Sequence, residues 1–338
     1  MGISSSDSTE YTSTTSLSPV PLSETSIGTD KPQSLVGLVS VGTSSWNFPD
    51  WKGVFYPQAL PNKMMLQFYA SRFQSVEVNT SFYALPKPTT LIQWVESVPP
   101  GFTFALKAPR TITHEKRLVN CQSEMLSYLD ALRSLGEAAA PGLLQLPPNL
   151  SRQQNGRDLA RFLDWVAPEL SGLRLAVEVR SADLMTPAFT EFLLDRKMTL
   201  TLVDRIKTPD LFSMWVDAAE AGPMPNFCLI RWIGDDQDGP SGNQEMTNPR
   251  DEDLGLWAKR ILQLAQRGIS VYGYMHNPYE GHSPASVQRL VTELVAEIPF
   301  PIWPPEGWQW SEAEGESQGK KGSEQNSNGN QLSLFDLT

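Results

Sequence analysis

Two residue types that build disulfide frameworks and metal sites are scarce in this sequence. Its 338 residues include two cysteines, Cys121 and Cys228, and three histidines, with no HxH or HExxH spacing. Two cysteines give no disulfide framework, which fits a reducing cytoplasm, and we expect both to be buried small hydrophobic residues. We therefore predict a cytoplasmic protein without a cofactor, and a divalent metal is the less favoured alternative.

The sequence also lacks long apolar runs and a surplus of positive charge. Its longest apolar stretches are short, strand-like pieces, so no membrane partner is predicted. The formal net charge is −11, and residues 1–34 and 311–338 carry −3 each, which leaves −5 for the segment between them. This balance excludes a surface that coats nucleic acid in general.

Composition divides the chain into three parts. Residues 1–34 are rich in Ser and Thr and lack the apolar stretch of a secretory signal. Residues 311–338 are rich in Glu, Gly, Ser, Asn and Gln. Neither composition can bury a core, so we predict two disordered tails around one folded domain at residues 35–310.

Between the tails, apolar runs of strand length alternate with helical patterns. Strands are predicted at 35–45, 76–79, 102–108, 142–146, 174–179, 199–203, 227–233 and 270–275. Helices are predicted at 63–73, 89–97, 122–135, 157–166, 187–196, 251–267 and 283–297, with a weaker proline-bounded segment after the sixth strand. This alternation predicts a single (β/α)8 TIM-type barrel, with a doubly wound open sheet as the alternative. No GxGxxG follows the first strand, which disfavours a dinucleotide-binding version.

Polar residues gather at the predicted carboxyl ends of the strands, where the working side chains of such barrels lie. The catalytic candidates are Glu77, Glu178, His114 and Lys107. The substrate-binding candidates are Ser44, Trp46, Asn79, Tyr83, Arg180, Asp204, Arg231, Tyr274, His276 and Asn277. Glu77 and Glu178 could act as acid and base with a histidine nearby, or bind a divalent metal. Lys107 could form a Schiff base, but an anion-binding or salt-bridged lysine is the favoured interpretation.

Two charged residues interrupt apolar strands, which is costly unless they are paired or hydrated. Arg231 lies inside FCLIRWI and Glu178 inside RLAVEV. One interpretation is a buried ion pair between them that holds the barrel together. The other is a functional site, because structural charges have no reason to gather at one end of a barrel.

Basic and aromatic residues are enriched at the same strand ends. The basic residues are Lys107, Arg110, Lys116, Arg117, Arg180, Arg205, Lys207 and Arg231. A basic mouth on an acidic protein predicts an anionic ligand, a phosphate or a carboxylate. Trp46, Phe82 and Tyr83 flank the mouth as a hydrophobic lid or, less favoured, as a stacking surface.

Several stretches resemble a known family. They are GTSSW at 42–46, FYP at 55–57, VEVNTSFYALP at 76–86, FALKAPRTITHEKRL at 104–118, LLQLPPN at 143–149 and AVEVR at 176–180. They resemble the YecE-like family, domain of unknown function 72, over about residues 38–300. The resemblance implies a TIM-type barrel and no settled reaction. Such a barrel is distantly similar to the xylose-isomerase and endonuclease-IV type, but the metal-ligating histidines of that group are missing here.

The stretch QLSLF at 331–335 resembles the peptide by which bacterial partner proteins bind the DNA sliding clamp. In that interpretation Leu334 and Phe335 are hydrophobic anchors, Gln331 is a polar contact, and Leu332 also belongs to the partner-binding residues. The alternatives are a tail that packs on its own barrel, or a chance match.

Taken together, these features predict an enzyme that acts on an anionic, phosphorylated substrate, with nucleic acid as one option. A hydrolase of the phosphodiesterase type and a small-molecule lyase or isomerase both remain open. The other alternative is a non-catalytic barrel that binds an anion or a partner and is tethered to the sliding clamp. The oligomeric state is open.

Overall fold

The computed structural model of the chain describes residues 37–295 and 302–309. The Ser/Thr-rich segment 1–34 and the QLSLF segment at 331–335 lie outside the described residues, so the predictions made for them stay predictions. No helix in the described part is long and apolar enough to cross a membrane. Cys121 and Cys228 are both buried and free, as predicted.

Within the described residues, nine strand segments follow the predicted order. They are β1 Val39–Ser44, β2 Ser75–Val78, β3 Thr103–Leu106, β4 Gly142–Gln145, β5 Leu175–Glu178, β6 Thr199–Leu200, β7 Leu202–Arg205, β8 Phe227–Gly234 and β9 Ser270–Met275. Thr201 alone separates β6 from β7, so these two segments are the halves of the predicted sixth strand.

Eight α-helices accompany these strands in the part of the chain that the structure describes. They are α1 Met65–Ala70, α2 Pro88–Glu96, α3 Gln122–Ser134, α4 Arg152–Glu169, α5 Pro187–Leu194, α6 Phe212–Ala221, α7 Asp251–Gln266 and α8 Ser283–Val295. The weak segment after the sixth strand is α6. Helix α4 begins five residues before its predicted start, because the Ser151 side chain caps it by accepting a hydrogen bond from the backbone N–H of Gln154.

The strands follow one another in a circular order. They form a parallel six-stranded sheet, β3-β2-β1-β9-β8-β7, and a parallel three-stranded sheet, β4-β5-β6. The first and last strands pair with each other, from Val39 with Val271 to Thr43 with Met275. Two isolated parallel bridges, Lys107 with Leu143 and Phe104 with Ala139, connect β3 to the β4 segment of the chain. Strand β6 continues into β7 after one residue. The predicted (β/α)8 barrel is confirmed.

Alternation along the strands divides the core into two clusters. The smaller cluster fills the space inside the ring of strands and consists of Ala105, Ala140, Leu143, Ala176, Phe227, Leu229, Tyr272 and Tyr274. The larger cluster contains the neighbouring strand residues, such as Val76, Val78 and Trp232, together with the helices. Strand residues therefore point alternately inward and toward the helices.

Candidate functional site

A layer of charged side chains lies directly above the apolar interior of the barrel. It follows from the strand period, because the position two residues after an inward apolar residue also points inward. Thus Ala105 is followed by Lys107, Ala176 by Glu178, Leu229 by Arg231 and Tyr274 by His276. Strand β2 contributes Glu77 to the same layer.

Arg231 is the centre of this layer. Its Nε and Nη2 atoms donate to Glu77 Oε2 and Oε1 at 2.7 and 2.8 Å, and its Nη1 atom donates to Glu178 Oε2 at 2.6 Å. All three side chains are buried, with exposures of 2% for Arg231 and 0% for both carboxylates. The predicted ion pair between Glu178 and Arg231 is therefore confirmed, and Glu77 joins it.

Both buried carboxylates are ionised. Burial opposes ionisation of Glu178, but the charges of Arg231 and Arg180 outweigh burial and lower the pKa of this carboxyl to about 2. The pKa of Glu77 is also lowered: burial would raise it, but the charge of Arg231 and its two hydrogen bonds to this carboxylate outweigh burial. Each carboxylate oxygen already accepts a hydrogen bond from Arg231, Arg180 or Ser44.

Arg180 extends the network toward the mouth. Its Nε atom donates to Glu178 Oε1 at 2.6 Å, and its side chain is 14% exposed. Among the described residues, its Nη1 and Nη2 groups have no hydrogen-bond partner. A guanidinium held at Nε presents its two Nη groups in a fixed orientation, which suits a planar or tetrahedral anion.

His276 is uncharged in this layer. Burial and the nearby charge of Arg231 lower the pKa of the imidazole to about 3. The imidazole Nε2 atom lies 2.9 Å from Arg231 Nη2. Because the arginine can only donate, Nε2 accepts this hydrogen bond and the imidazole proton is on Nδ1.

Lys107 differs from the other cations of the layer. Within the described part of the chain, its Nζ atom has no hydrogen-bond or ion-pair partner and lies 4.2 Å from the centre of the Phe82 ring. Burial and the charge of Arg231 lower the pKa of the amine to about 8. Its backbone is fixed by Ser81, whose hydroxyl donates to the Lys107 carbonyl at 2.7 Å. The amine therefore lies over the Phe82 ring without an ionic partner among the described residues, and its lowered pKa leaves a fraction of it deprotonated near neutral pH.

Asn79 and Ser44 complete the polar wall. Ser44 Oγ donates to Glu77 Oε1 at 3.0 Å and accepts a hydrogen bond from Asn79 Nδ2. The remaining amide atom, Asn79 Oδ1, is buried and has no hydrogen-bond partner in the described residues. A buried acceptor without a donor is costly, so a hydrogen bond to this oxygen from a ligand or from water would be stabilising.

Part of this network lines an open pocket of about 300 Å³, whereas Glu77, Glu178 and Ser44 are buried and do not belong to its lining. Its lining includes Asn79, Tyr83, Lys107, Arg180, Arg231 and His276. An adjoining pocket of about 340 Å³ shares Arg180 and Asp236 with it and adds Arg205 and Lys207. Pockets of this size accommodate small molecules.

Several predicted site residues lie near this pocket without lining it. His114 packs edge-on against Phe82 at 5.0 Å, and its Nδ1 atom lies 2.8 Å from the Thr113 hydroxyl. Burial and the charge of Lys107 lower the pKa of the His114 imidazole. Trp46 packs against Trp94 and Phe104. Ser44 reaches the pocket only through Asn79.

The structure does not bring Asp204, Tyr274 and Asn277 into the pocket. Asp204 pairs in register with the helix-facing Trp232. Its carboxylate therefore accepts hydrogen bonds from Arg250, Trp257 and Tyr279 on the helix side of the barrel.

Tyr274 points into the barrel two residues before His276, so it lies in the layer below the pocket. It lies in the interior cluster with its hydroxyl 2.8 Å from Ser75 Oγ. Asn277 caps α8, since its Oδ1 atom accepts hydrogen bonds from the Ser283 backbone N–H and hydroxyl.

Five residues that line the pocket were not among the predicted site residues: Phe82, Gln145, Ile233, Asp236 and Pro278. Phe82 supplies the ring beneath the Lys107 amine. Asp236 lies at the junction of the two pockets and pairs with Arg205 at 2.8 Å. Phe82 was predicted to flank the mouth, but nothing in the sequence distinguishes Asp236 from its acidic neighbours Asp235 and Asp238. In the described residues, no group of three or more His, Cys, Asp or Glu side chains could hold a metal ion.

Comparison with known proteins gives consistent matches. A family model described as "Protein of unknown function DUF72" matches residues 40–306. UPF0759 protein YecE of Escherichia coli K12 is 26% identical over 284 residues, which cover 78% of this chain and 94% of that protein. UPF0759 protein YunF of Bacillus subtilis is 23% identical over 278 residues, covering 77% and 96%. The crystal structure of a DUF72 family protein from Thermotoga maritima aligns with a TM-score of 0.60 and 24% identity, covering 77% of this chain and 99% of that one.

Proposed function

The chain belongs to the DUF72 family, and on that premise we propose that it is an enzyme acting on a small anionic substrate. The anion is a phosphate or a carboxylate, bound in the mouth pocket defined by Asn79, Lys107, Arg180, Arg231 and His276. The proposal rests on the charges and contacts of the described residues.

The observation that carries the proposal is a surplus of positive charge in the buried layer. Three cations, Lys107, Arg180 and Arg231, face two carboxylates. Arg231 forms ion pairs with both carboxylates. Among the described residues, Lys107 has no ionic partner, and both Nη groups of Arg180 lack a hydrogen-bond partner. A substrate anion beside Arg180 and Lys107 would neutralise this surplus, which makes its binding favourable in a partly desolvated pocket.

The same contacts favour one group as the reactive one. Glu77 and Glu178 are locked in ion pairs, so neither is free to accept and return a proton in a reaction cycle. The Lys107 amine has a pKa of about 8 and no ionic partner among the described side chains. An amine of this kind abstracts protons or adds to carbonyl groups, which are reactions of lyases and isomerases. We therefore favour a lyase or isomerase over a phosphodiesterase.

Turnover and binding on a defined panel test this function. The full chain would be assayed with sugar phosphates, phosphorylated and carboxylated aldehydes and ketones, and short oligonucleotides. We expect turnover of a small anionic compound, and Arg180→Gln should weaken its binding about tenfold because the free Nη groups are lost. Arg161→Gln on α4, where the side chain is 80% exposed, is the matched control. Equal binding by both variants would contradict the proposal, and turnover of oligonucleotides alone would replace it with a nuclease.

A second candidate is a non-catalytic barrel that binds an anion and is tethered to the DNA sliding clamp. It is favoured by the locked state of Glu77 and Glu178 and by the QLSLF sequence at 331–335. Its test is binding of the full chain to purified clamp, beside a version ending at Asn330 and a Leu334→Ala/Phe335→Ala double variant. Binding that is lost in both variants, together with anion binding without turnover, would favour this candidate over the enzyme.

A further inference from the structure

We propose that Lys107 forms an imine with the carbonyl carbon of a small phosphorylated or carboxylated aldehyde or ketone. This inference rests on the proposed function, because the anionic group of the substrate is held by Arg180. It adds the substrate class and the covalent step.

The environment of the Lys107 amine suits a nucleophile better than a structural cation. A structural lysine is held by a carboxylate or a carbonyl, whereas Nζ here lies over the face of Phe82 and has no hydrogen-bond or ion-pair partner in the described part of the chain. Burial disfavours a positive charge on Nζ, and the charge of Arg231 adds to this effect, so that together they outweigh the attraction of Glu77 and Glu178. A lysine beside other cations in a partly apolar site keeps the free amine that attack on a carbonyl needs.

The groups around the amine define a three-point site. Arg180 offers two free Nη groups for the anion, and Lys107 offers the nucleophile. Asn79 Oδ1 is the third point, since this buried acceptor has no donor among the described residues. A hydroxyl group beside the carbonyl would supply that donor. The favoured substrate is therefore a hydroxylated aldehyde or ketone with a phosphate or carboxylate at one end.

The covalent step balances without an external oxidant or reductant. The Nζ lone pair forms a bond to the carbonyl carbon, and the carbonyl oxygen takes a proton to give a carbinolamine. The carbon–oxygen bond then breaks and the oxygen leaves as water. Both hydrogens of that water derive from the neutral amine, relayed by solvent in the open pocket, and one further solvent proton converts the imine to the iminium ion.

Reductive trapping tests the imine directly. The full chain would be incubated with glyceraldehyde 3-phosphate, dihydroxyacetone phosphate or pyruvate, and then treated with sodium borohydride. Intact mass and peptide mapping should find one adduct on Lys107 with at least one of these compounds. Its yield at short times should rise as the pH is raised through about 8, because the fraction of free amine rises. Glycerol 3-phosphate, which carries the phosphate but no carbonyl, should slow the trapping by competition.

Two variants make the trapping specific. Lys107→Met should abolish the adduct, and Lys259→Met, which removes an exposed lysine of α7, should leave it unchanged. Labelling of Lys107 no faster than Lys259, or no adduct with any of the three compounds, would overturn the imine.

Failure of the imine can be told apart from failure of the proposed function. Binding of glycerol 3-phosphate that Arg180→Gln weakens, without any adduct on Lys107, would overturn the imine and keep the anion-binding mouth. If glycerol 3-phosphate does not bind and no adduct forms, both proposals are overturned.

Discussion

Arg231 on β8 donates both of its Glu77 hydrogen bonds across the barrel, to a carboxylate on β2 that lies 154 positions earlier in the chain. In the order of the sheet, β1 and β9 separate these two strands. A third donor of Arg231 reaches Glu178 on β5, which belongs to the other sheet. One side chain thus connects three strands at the level where the apolar interior ends and the pocket begins.

The first prediction concerns removal of this connection. Arg231→Met leaves two buried carboxylates without their shared cation, so we expect the free energy of unfolding to fall by about 3 to 5 kcal/mol. Urea denaturation at pH 7 measures the change. Arg267→Met is the control, because the Arg267–Glu220 pair is exposed and should contribute less than about 1 kcal/mol. Similar losses in both variants would show that Arg231 is not the centre of the layer.

Lys107→Met should lose activity and gain stability at pH 7. The pKa of the amine is about 8 in the folded chain and about 10.5 when unfolded, so between these values the unfolded chain binds more protons. The cost of holding the charged amine is therefore fully present below pH 8 and disappears as the pH rises toward 10.5. We expect the variant to be more stable by about 3 kcal/mol at pH 7. Urea denaturation at pH 7, 9 and 10.5 should find this gain shrinking, whereas Lys259→Met should give no such trend.

Asn79→Ala tests the unpaired acceptor of the pocket. We expect glycerol 3-phosphate to bind about tenfold more weakly, because the variant removes the Oδ1 atom that accepts from a ligand hydroxyl. Calorimetric titration measures the change. Propyl phosphate has no hydroxyl group, so its affinity should be equal in the two proteins. An equal loss for both ligands would mean that Asn79 acts on the shape of the pocket rather than on the hydroxyl.

Asp204→Ala tests the assignment of this carboxylate to the helix side of the barrel. The substitution leaves Trp257, Tyr279 and Arg250 without a common acceptor, so stability should fall by about 3 kcal/mol. Glycerol 3-phosphate should bind as well as to the unmodified chain at a temperature where both are folded. Weaker binding by a folded variant would return Asp204 to the pocket.

Two glycines give opposite predictions for the same substitution. A Cβ atom on Gly42 would lie 1.8 Å from the Ser75 carbonyl oxygen, so Gly42→Ala should separate β1 from β2 and cost more than about 3 kcal/mol. Gly255 lies in α7 with no atom within 4 Å of an added Cβ, so Gly255→Ala should stabilise by about 1 kcal/mol. Thermal unfolding of both variants checks the pair, and a stable Gly42→Ala protein would mean that β1 and β2 can move apart.

Strand alternation was enough to predict much of the site. It groups Glu77 with Asn79 and Glu178 with Arg180, and it makes a charged residue inside FCLIRWI conspicuous. Apolar runs of strand length also predicted all eight strands, because the strands of a buried parallel sheet are nearly continuous apolar runs.

The errors arose where the sequence contains no register information. The strand break at Thr201 and the register shift at Asp204 and Arg205 hide which of these two side chains points inward. Asn277 follows the last strand and was therefore predicted to bind substrate, but its side chain caps α8. The sequence also could not show that Arg231 pairs with both Glu77 and Glu178, because these residues lie on strands that are far apart in the chain.

The shared use of Arg231 restricts how this chain can change over evolutionary time. Glu77, Glu178 and His276 each depend on the same guanidinium group: Glu77 accepts from Nε and Nη2, Glu178 from Nη1, and His276 from Nη2. A neutral replacement at any one position leaves a charge or a donor unmatched inside the barrel. Substitutions here should therefore be tolerated only in sets, so a descendant of this chain would keep all four residues or replace them together.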